Sequence, residues 1–408
     1  MDRAHAEALD ADDPLAHFRD AFVLPQGVIY LDGNSLGPLP KAAAARLADA
    51  AEREWGQGLI TSWNAAGWID APMRAGAKLA RLIGAQAHEV VVADSTSVNL
   101  FKLAAGALSL RPGRRTIVTE SGNFPTDVYV LEGVCAMAGA TLKVLPPDEV
   151  LAAIDDDTAA VVLTHVHYKS ARRWDMTGVT AAAHAKGALM LWDLSHTTGA
   201  VAVDLNGSEA DLAVGCGYKY LNGGPGAPAF LFVAERHQTT IRSPLSGWMG
   251  HAAPFAFEDS YRPSTDIRAM LCGTPPILGL AALEAGLDLQ LAADPKAVEA
   301  KGRSLCRLFI DLVERRCAGH GLALAGPREM AQRGLHVSFA HPDGYAIVQA
   351  LIARGVIGDF RDPDIARFGF SPLYLSHADV WDAVEILREI LESRAYERPE
   401  HRTRAAVT

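Results

Sequence analysis

Short apolar runs alternate with amphipathic stretches through the first two thirds of the chain. The runs at 90–92, 115–119, 160–163 and 188–192 have the length of buried strands, and helical spacing returns between them. This alternation is typical of an α/β fold, in which a mainly parallel sheet is sandwiched by helices. Binding sites of such folds lie beyond the carboxyl ends of the strands.

The pattern changes after Pro276. Helical stretches at 277–291, 295–315, 344–354 and 378–394 surround short apolar runs near 322–324, 336–339 and 368–369, which predicts a smaller α+β domain. At the other end, a helical stretch at 4–22, in which Pro14 can open a second piece, precedes a short strand at 28–31. We therefore predict an N-terminal arm (1–45) that packs with the small domain, a large domain (46–276) and a small C-terminal domain (277–408).

A glycine-rich loop around Lys219 is the most distinctive stretch. The apolar run 212–214 leads into Gly-Cys-Gly-Tyr-Lys-Tyr-Leu-Asn-Gly-Gly-Pro-Gly at 215–226, which neither a helix nor a long strand would tolerate. The lysine therefore sits at the end of a strand. A nucleotide-binding phosphate loop is the alternative, but no Ser or Thr follows this lysine and the glycine spacing differs.

A carboxylate is also placed at the end of a predicted strand, because Asp193 follows the apolar run 188–192. The two side chains meet if their strands are parallel neighbours. Such a pair suits pyridoxal phosphate (PLP), since a lysine amine forms a Schiff base with its aldehyde and a carboxylate keeps its pyridine nitrogen protonated. We interpret Lys219 and Asp193 as the chemical centre.

Two further strand ends carry candidate ligands. Ser95, Thr96 and Ser97 open an amphipathic helix after the strand 90–92, and free amides at a helix N-terminus bind phosphate. Phe124 follows the strand 115–119, where its ring can stack on a flat heterocycle or pack against the next helix. His165 and His167 share a face of an extended stretch, but no third ligand accompanies them, so we expect no metal site.

Charge and composition bear on the binding partners and the cellular compartment of the protein. The net charge of -10, from 48 acidic against 38 basic residues, argues against nucleic acid or an anionic membrane as a partner. No export signal and no run of eighteen apolar residues is recognisable. Five cysteines without paired spacing fit free thiols in a reducing compartment, which predicts a cytoplasmic protein.

Six motifs, in order, resemble those of the bacterial kynureninase family, PLP enzymes of fold type I related to class V aminotransferases and cysteine desulfurases. The correspondence runs nearly end to end, and the tyrosine before the lysine follows the kynureninase form rather than the desulfurase form. The motifs are Leu-Asp-Gly-Asn-Ser-Leu-Gly at 31–37, Asp-Ser-Thr-Ser-Val-Asn-Leu at 94–100, Asn-Phe-Pro-Thr-Asp at 123–127, Trp-Asp-Leu-Ser-His at 192–196, Gly-Tyr-Lys-Tyr-Leu-Asn at 217–222 and Gly-Trp-Met-Gly-His at 247–251.

The resemblance implies roles for particular residues. Lys219 would hold the cofactor aldehyde, Asp193 would pair with the pyridine nitrogen and Phe124 would stack on the ring. Arg367 would hold the substrate α-carboxylate, since a planar guanidinium suits that bidentate task. Around the cofactor the resemblance places Thr96, Ser97, Asp127, Ser170, His196 and Tyr218, with Tyr218 as a proton relay, and it brings Trp248 and Thr274 from the partner subunit of a homodimer.

The implied activity is hydrolysis of L-kynurenine to anthranilate and L-alanine in tryptophan catabolism. The sequence leaves open whether 3-hydroxykynurenine is preferred, and Asn64 and Ser62 are candidates to contact the extra hydroxyl. A desulfurase-like lyase or an aminotransferase is the alternative, with Cys272 as the only loop cysteine able to receive sulfur. A non-catalytic amino-acid sensor would have lost Lys219 or Asp193, and both are present.

Overall fold

A computed structural model describes residues 2–404, so the extreme ends of the predicted segments 1–45 and 277–408 lie outside it. Its helices are α1 (Arg3–Ala11), α2 (Lys41–Asp49), α3 (Ser62–Ala65), α4 (Ala71–Ile83), α5 (Thr96–Leu110), α6 (Pro125–Ala138), α7 (Met176–Ala185), α8 (Glu235–Gln238), α9 (Ile277–Ala292), α10 (Pro295–Arg316), α11 (Gly344–Ala353), α12 (His377–Ser393) and α13 (Pro399–Arg402). Its strands are β1 (Ile29–Tyr30), β2 (Val90–Val92), β3 (Thr116–Glu120), β4 (Thr141–Leu145), β5 (Thr158–Thr164), β6 (Leu189–Asp193), β7 (Leu212–Gly215), β8 (Phe230–Val233), β9 (Ala323–Leu324), β10 (His336–Ala340), β11 (Val356–Ile357), β12 (Asp359–Arg361) and β13 (Ile365–Gly369).

A seven-stranded sheet forms the larger part of the molecule, in the order β2-β8-β7-β6-β5-β3-β4. The strands from β7 to β4 pair in parallel, and β8 runs antiparallel to both of its neighbours. The predicted mainly parallel α/β sheet is therefore confirmed. Parallel pairing collects the carboxyl ends of five strands at one edge of the sheet.

Helices bury both faces of this sheet, which explains why its strands read as continuous apolar runs rather than alternating ones. In β6, Met190 and Trp192 pack with helices α4, α7 and α9, whereas Leu189 and Leu191 pack on the other face with α5 and α6. All four of these side chains are fully buried. Packing on both faces thus holds the sheet rigidly in place. Side chains at the carboxyl ends of its strands are therefore well positioned.

A second, antiparallel sheet of order β12-β13-β10-β9 packs with α10, α11 and α12 around a separate core. The N-terminal segment joins this part: Arg3 of α1 pairs with Asp382 of α12, and β1 pairs in parallel with β11. The predicted helix at 4–22 is interrupted after Ala11 and continues as a 3-10 turn at Ala16–Ala21, because Pro14 cannot extend α1. The boundaries of the three predicted segments stay a prediction.

Among residues 2–404, no helix is long and apolar enough to cross a membrane. In the same part of the chain, no group of three or more His, Cys, Asp or Glu side chains is arranged to hold a metal ion.

Candidate active site

Neighbouring strands bring the predicted chemical groups to one edge of the large sheet. Strands β6 and β7 pair in parallel, with Asp193 opposite Val214, and the chain reaches Lys219 four residues after the end of β7. The strands that precede Lys219 and Asp193 are thus parallel neighbours, as the prediction for this pair required. Asp193 is buried and Lys219 is half-buried, so solvent has restricted access to the amine and the carboxylate.

Lys219 has a histidine as its hydrogen-bond partner. Its Nζ lies 2.9 Å from Nε2 of His196, three residues after Asp193. Burial lowers the pKa of His196 well below the ordinary value, and the charges of Lys219 and two arginines lower it further. His196 is therefore neutral, and its Nε2 accepts a hydrogen bond from the Lys219 Nζ. The Nδ1 of His196 is buried, with no hydrogen-bond partner in the described part of the chain.

Two carboxyl groups share the edge beside the lysine. Asp127, in the first turn of α6, is hydrogen-bonded to Asp193, and burial followed by the Asp193 charge raises the pKa of Asp127 well above its usual range. Asp127 therefore holds a proton at neutral pH, and Asp193 also accepts a hydrogen bond of 2.7 Å from the amide of Ser195. A cationic N–H group placed here would be stabilised by this pair.

Thr164 lies next to the two carboxyl groups, and the sequence analysis did not single it out. It ends β5 in register with Asp193, and its hydroxyl lies 3.4 Å from Asp127 and donates to Asn123. Its position at the end of an apolar run, like that of Asp193, was the signal that could have revealed it. Asn123 keeps a buried Nδ2 without a partner among residues 2–404, which leaves a donor at this edge.

The predicted anion site has the geometry of an open helix N-terminus. Ser95 caps α5 by accepting from the amide of Val98 at 3.4 Å, so the half-buried hydroxyls of Thr96 and Ser97 are not used for capping. Asp94 before them has a left-handed φ of 47° and pairs with Lys102, which is fully buried. The turn is thus held in one shape, with the positive end of the helix directed beyond the sheet edge.

Aromatic groups flank the lysine loop. Phe124 is 42% exposed at the start of α6 and meets Tyr168 edge to face, with ring centroids 5.3 Å apart. One face of the Phe124 ring thus remains available for stacking. Tyr218 is half-buried, with its ring centroid 5.8 Å from the Lys219 Nζ, and burial raises the pKa of its hydroxyl, which stays protonated at neutral pH.

Ser170 stands apart from these contacts. Its hydroxyl lies 3.1 Å from Nδ1 of His167, in a turn that the small sheet covers through a hydrogen bond from Ser338 to the Lys169 carbonyl. The recorded contacts of Ser170 thus tie it to this turn. A role next to the cofactor stays a prediction, and Thr164 occupies the strand end that faces Asp193.

The structure gives Arg367 a different set of partners from the one that the sequence suggested. Its side chain is 1% exposed, and it holds both oxygens of Asp359, which stands opposite it in the β12–β13 pair. It also donates to the Tyr168 carbonyl at 2.6 Å and to the Ser35 hydroxyl at 2.8 Å. The bidentate face that we predicted for a substrate carboxylate is therefore occupied by a carboxylate of the protein.

The remaining predicted residues lie on two other segments. Trp248 and the exposed Thr274 belong to neighbouring loops that meet where Gly247 packs on the backbone of Cys272. Asn64 is exposed on α3, whereas Ser62 is buried and donates to the Glu54 carbonyl at 2.6 Å. The hydroxyl hydrogen of Ser62 is thus used within the protein, and a contact of Ser62 or Asn64 with a substrate hydroxyl stays a prediction.

The comparisons with known proteins agree with this arrangement. Residues 298–387 match the model of the kynureninase C-terminal domain. A kynureninase of Burkholderia mallei (strain SAVP1) is 53% identical over 413 residues, which cover 100% of this chain and 99% of that protein. The kynureninase of Pseudomonas fluorescens is 54% identical over 98% of each chain. This chain belongs to the kynureninase family.

Solved structures of low sequence identity share its fold. The apo cysteine desulfurase of Thermococcus onnurineus NA1 has a TM-score of 0.78 at 18% identity, covering 92% of this chain and 98% of that one. A C-DES mutant with glycine covalently linked to its PLP cofactor also gives 0.78, at 15% identity over 90% and 98% of the two chains. The predicted fold type I architecture is confirmed by these likenesses.

The side chains of this kynureninase-family member fit PLP. The set of polar groups contains a half-buried amine, a carboxyl pair in which Asp127 keeps its proton, and a helix N-terminus with spare hydroxyls. These match the aldehyde, the pyridinium nitrogen and the phosphate of PLP in turn. The unpartnered, buried Nδ2 of Asn123 adds a donor beside the ring-nitrogen position.

Proposed function

We propose that this chain is a kynureninase, which uses PLP to hydrolyse L-kynurenine to anthranilate and L-alanine. The observation that carries the proposal is the convergence of Lys219, His196 and the Asp127–Asp193 pair at one sheet edge. It occurs in a chain that aligns over its full length with kynureninases. Kynurenine and 3-hydroxykynurenine differ by one hydroxyl, and Asn64, which is exposed on α3, stays our candidate to contact it.

PLP, when bound, supplies an aldehyde that reacts with amines and a ring that stabilises negative charge developing next to the substrate nitrogen. Lys219 would hold this aldehyde through its amine, and the same amine would be the base that accepts the proton from the substrate α-carbon. The Nε2 of His196 lies 2.9 Å from the Lys219 Nζ. Because the His196 ring is neutral, this nitrogen can accept a hydrogen bond from any N–H that the lysine carries.

The carboxyl pair would hold the ring nitrogen of the cofactor. Because Asp127 keeps a proton, Asp193 could accept a hydrogen bond from a ring N–H without the repulsion of two neighbouring carboxylates. Thr164 and Ser195 hold the two side chains in place through their hydrogen bonds. At the other end of the cofactor, the amides and hydroxyls at the start of α5 receive the phosphate.

Tyr218 supplies a phenolic proton near the lysine. Because burial raises the pKa of Tyr218, its hydroxyl remains an acid at neutral pH, and it can donate to a phosphate oxygen or return a proton to a carbanion on the substrate. Phe124 presents its exposed ring face for stacking. These two residues complete the set that we assign to cofactor binding and proton transfer.

A spectroscopic experiment on purified protein tests this function. The wild type should bind PLP with a visible absorption band and convert L-kynurenine to anthranilate, which is followed by its fluorescence. Lys219→Ala should lose both the band and nearly all turnover, and Lys186→Ala, which removes a lysine at the C-terminal end of α7, is the matched control. A wild type that remains colourless with excess PLP, or a coloured one without anthranilate formation, would refute the proposal.

The alternative of a desulfurase rests on Cys272, and the geometry disfavours it. Burial raises the pKa of Cys272, and its Sγ donates to the Leu245 carbonyl at 3.1 Å, so the group is a bound thiol rather than a thiolate. Acceptance of sulfur from cysteine requires the nucleophilic thiolate.

We also propose that the protein acts as a homodimer in the cytoplasm, with Trp248 and Thr274 entering the partner's site. Support comes from large apolar side chains exposed near these loops, among them Phe255 at 61% and Phe257 at 76%. The five cysteines are free and four of them are buried, which fits a reducing compartment. Light scattering combined with a hybrid of Lys219→Ala and Trp248→Ala subunits tests the dimer, since one intact site should then appear.

A further inference from the structure

Two buried histidines meet between the large sheet and the small sheet. His196 follows strand β6 of the large sheet, and His336 is the first residue of strand β10 in the small sheet. Their ring centroids lie 5.3 Å apart, with the ring planes tilted by 52°. Both side chains are buried, so two polar rings lie side by side where bulk water does not reach them.

Neither ring carries a positive charge at neutral pH. Burial is the main reason why the pKa of each histidine lies well below its ordinary value, and neighbouring charges add to the effect. The charged and titratable groups that act on the two rings are Lys219, Arg361 and Arg367 on His196, and Arg367, Arg333, His167 and Asp359 on His336. Asp359 acts in the opposite direction to the others and does not outweigh burial.

Three of the four ring nitrogens have no hydrogen-bond partner within residues 2–404. They are Nδ1 of His196 and both nitrogens of His336, whereas Nε2 of His196 accepts from Lys219. A neutral imidazole has one N–H, so the hydrogen of His196 is on Nδ1. Buried N–H groups nearly always have a partner, either in the protein or in ordered water. The partner of this one is therefore to be sought on the side of His336.

The side-chain amide of Asn34 lies near the same end of β10. Gly369 stands opposite His336 in the β10–β13 pair, and opposite residues direct their side chains to one face of a sheet. A Cβ atom on Gly369 would collide with Oδ1 of Asn34, so this amide takes the place of the missing side chain. Asn34 is fully buried, and its Oδ1 and Nδ2 have no partner in the described part of the chain.

Internal water fits the chemistry of these groups. Asn34, His196 and His336 contribute five buried polar atoms that lack a partner among residues 2–404, and they include both donors and acceptors. An internal water molecule typically makes about three hydrogen bonds to groups of this kind. The positive charges of Lys219 and Arg367 disfavour a metal cation in the same place.

The start of β10 is held in position relative to the lysine loop. The hydroxyl of Tyr220, which follows Lys219, donates to the Leu335 carbonyl at 3.1 Å. The amide of Phe370 donates to the same carbonyl at 2.7 Å. Since Leu335 directly precedes His336, the His336 ring stands on a backbone that is tied to the lysine loop.

We propose that His336 is a positioning residue of the lysine site: through internal water shared with the Asn34 amide, it holds the His196 ring with Nε2 directed at the Lys219 amine. The water accepts a hydrogen bond from Nδ1 of His196 and donates one to a nitrogen of His336. A hydrogen bond at one ring nitrogen of a histidine decides what the other nitrogen can do. The inference rests on the proposed function only for the use of the Lys219 amine in catalysis.

A crystal structure of the full chain tests for the water. The wild type should contain a water molecule within about 3.2 Å of both Nδ1 of His196 and a ring nitrogen of His336. His336→Phe keeps a flat ring but no nitrogen, and it should lack this water. A wild-type crystal structure with ordered water elsewhere but none between the two rings would overturn the inference.

Acetylation of Lys219 by trace acetic anhydride, quantified by mass spectrometry in PLP-free protein, tests the positioning role. The hydrogen bond to Nε2 of His196 favours the charged amine, which does not react, over the free amine, which does. We expect Lys219 to react about threefold to tenfold faster in His336→Phe, the effect of one lost hydrogen bond. His336→Gln keeps a donor and an acceptor and should restore most of the wild-type rate. The exposed Lys186 is the reference within the same digest.

The matched control is His341→Phe. His341 is also buried, but it follows the opposite end of β10, where its Nδ1 accepts from the Asp343 amide at 2.9 Å. This variant should leave the acetylation of Lys219 unchanged. Equal rates in wild type and His336→Phe, or an increase in His336→Gln as large as in His336→Phe, would contradict the positioning role. If His336→Phe fails to fold, the wild-type crystal structure decides.

Failure of the proposed function is a separate outcome, because neither measurement uses kynurenine or PLP. A wild type that shows the water and the expected acetylation rates, yet forms no anthranilate, would overturn the function and leave the role of His336 intact. A wild type that forms anthranilate, with Lys219 equally reactive in His336→Phe, would do the reverse.

Discussion

Replacement of Arg367 by methionine should destabilise the small sheet, because it leaves a buried charge with an incomplete set of partners. Burial alone would raise the pKa of Asp359, but the charge and hydrogen bonds of Arg367, followed by the charge of Arg361, outweigh it and lower that pKa to about 2. Asp359 is therefore ionised at neutral pH. Arg367→Met removes the cationic partner that lowers this pKa most, at a position where both side chains are buried.

The magnitude follows from the cost of breaking a buried ion pair, about 3–5 kcal/mol when one partner is removed. Arg361 stays beside Asp359 and is partly exposed, so we place the loss at about 3 kcal/mol, the lower end of that range. At about 1.4 kcal/mol for each factor of ten, the equilibrium for opening this sheet should shift roughly a hundredfold.

Amide hydrogen exchange measures this opening strand by strand. The amides of β10 and β13, which pair across the centre of the small sheet, should exchange roughly a hundredfold faster in Arg367→Met, while those of β5 and β6 in the large sheet stay unchanged. Arg367→Met combined with Asp359→Asn should recover part of the loss, because no buried charge is then left unpaired. Unchanged exchange in Arg367→Met would refute the reasoning and free Arg367 for the bidentate role that the sequence suggested.

Two further predictions concern carboxyl groups. Asp193→Asn should still bind PLP through Lys219 but lose most kynurenine turnover, since the charge that favours ring protonation is gone; unchanged kcat in a steady-state assay would contradict that role. Asp32 has a pKa raised from 3.8 to about 8, mainly by burial, so the folded state keeps a proton that the unfolded state releases between these values. Its contribution to stability is therefore full below about pH 3.8 and is lost as the pH rises through about 8. The difference in urea midpoint between wild type and Asp32→Asn should shift accordingly between pH 6 and pH 9, and a constant difference would contradict the assignment.

The large sheet could be predicted because each of its buried strands can be recognised in the sequence by itself. A strand buried on both faces, such as β6, is a continuous apolar run, and the polar residue that ends it marks the carboxyl edge. Lys219 and Asp193 could be placed together for that reason. The contact of Lys219 with His196 could not, because the residues that follow a strand end turn in directions that only the packed structure fixes.

The small sheet shows where the local pattern fails. The strands β11 and β12 have two and three residues, and β12 contains the charged Asp359 and Arg361, so no apolar run reveals them. Their charges are tolerated only because residues far apart in the chain meet there. Ser35 and Asp32 reach Asp359 across more than three hundred positions, and no local rule predicts such a meeting.

A family motif identifies a residue type at a position, but not which of its hydrogen bonds are free. The motif that contains Arg367 indicated a carboxylate-binding arginine, and the structure does give this arginine a carboxylate, that of Asp359. Since a guanidinium has five N–H groups, its partners must be counted before any are assigned to a ligand. In Arg367 four of these five N–H groups are taken up by Asp359, Ser35 and the Tyr168 carbonyl. These contacts also explain why an arginine can be fully buried here: Arg367 holds Asp359 in position, and Asp359 in turn accepts a hydrogen bond from Arg361.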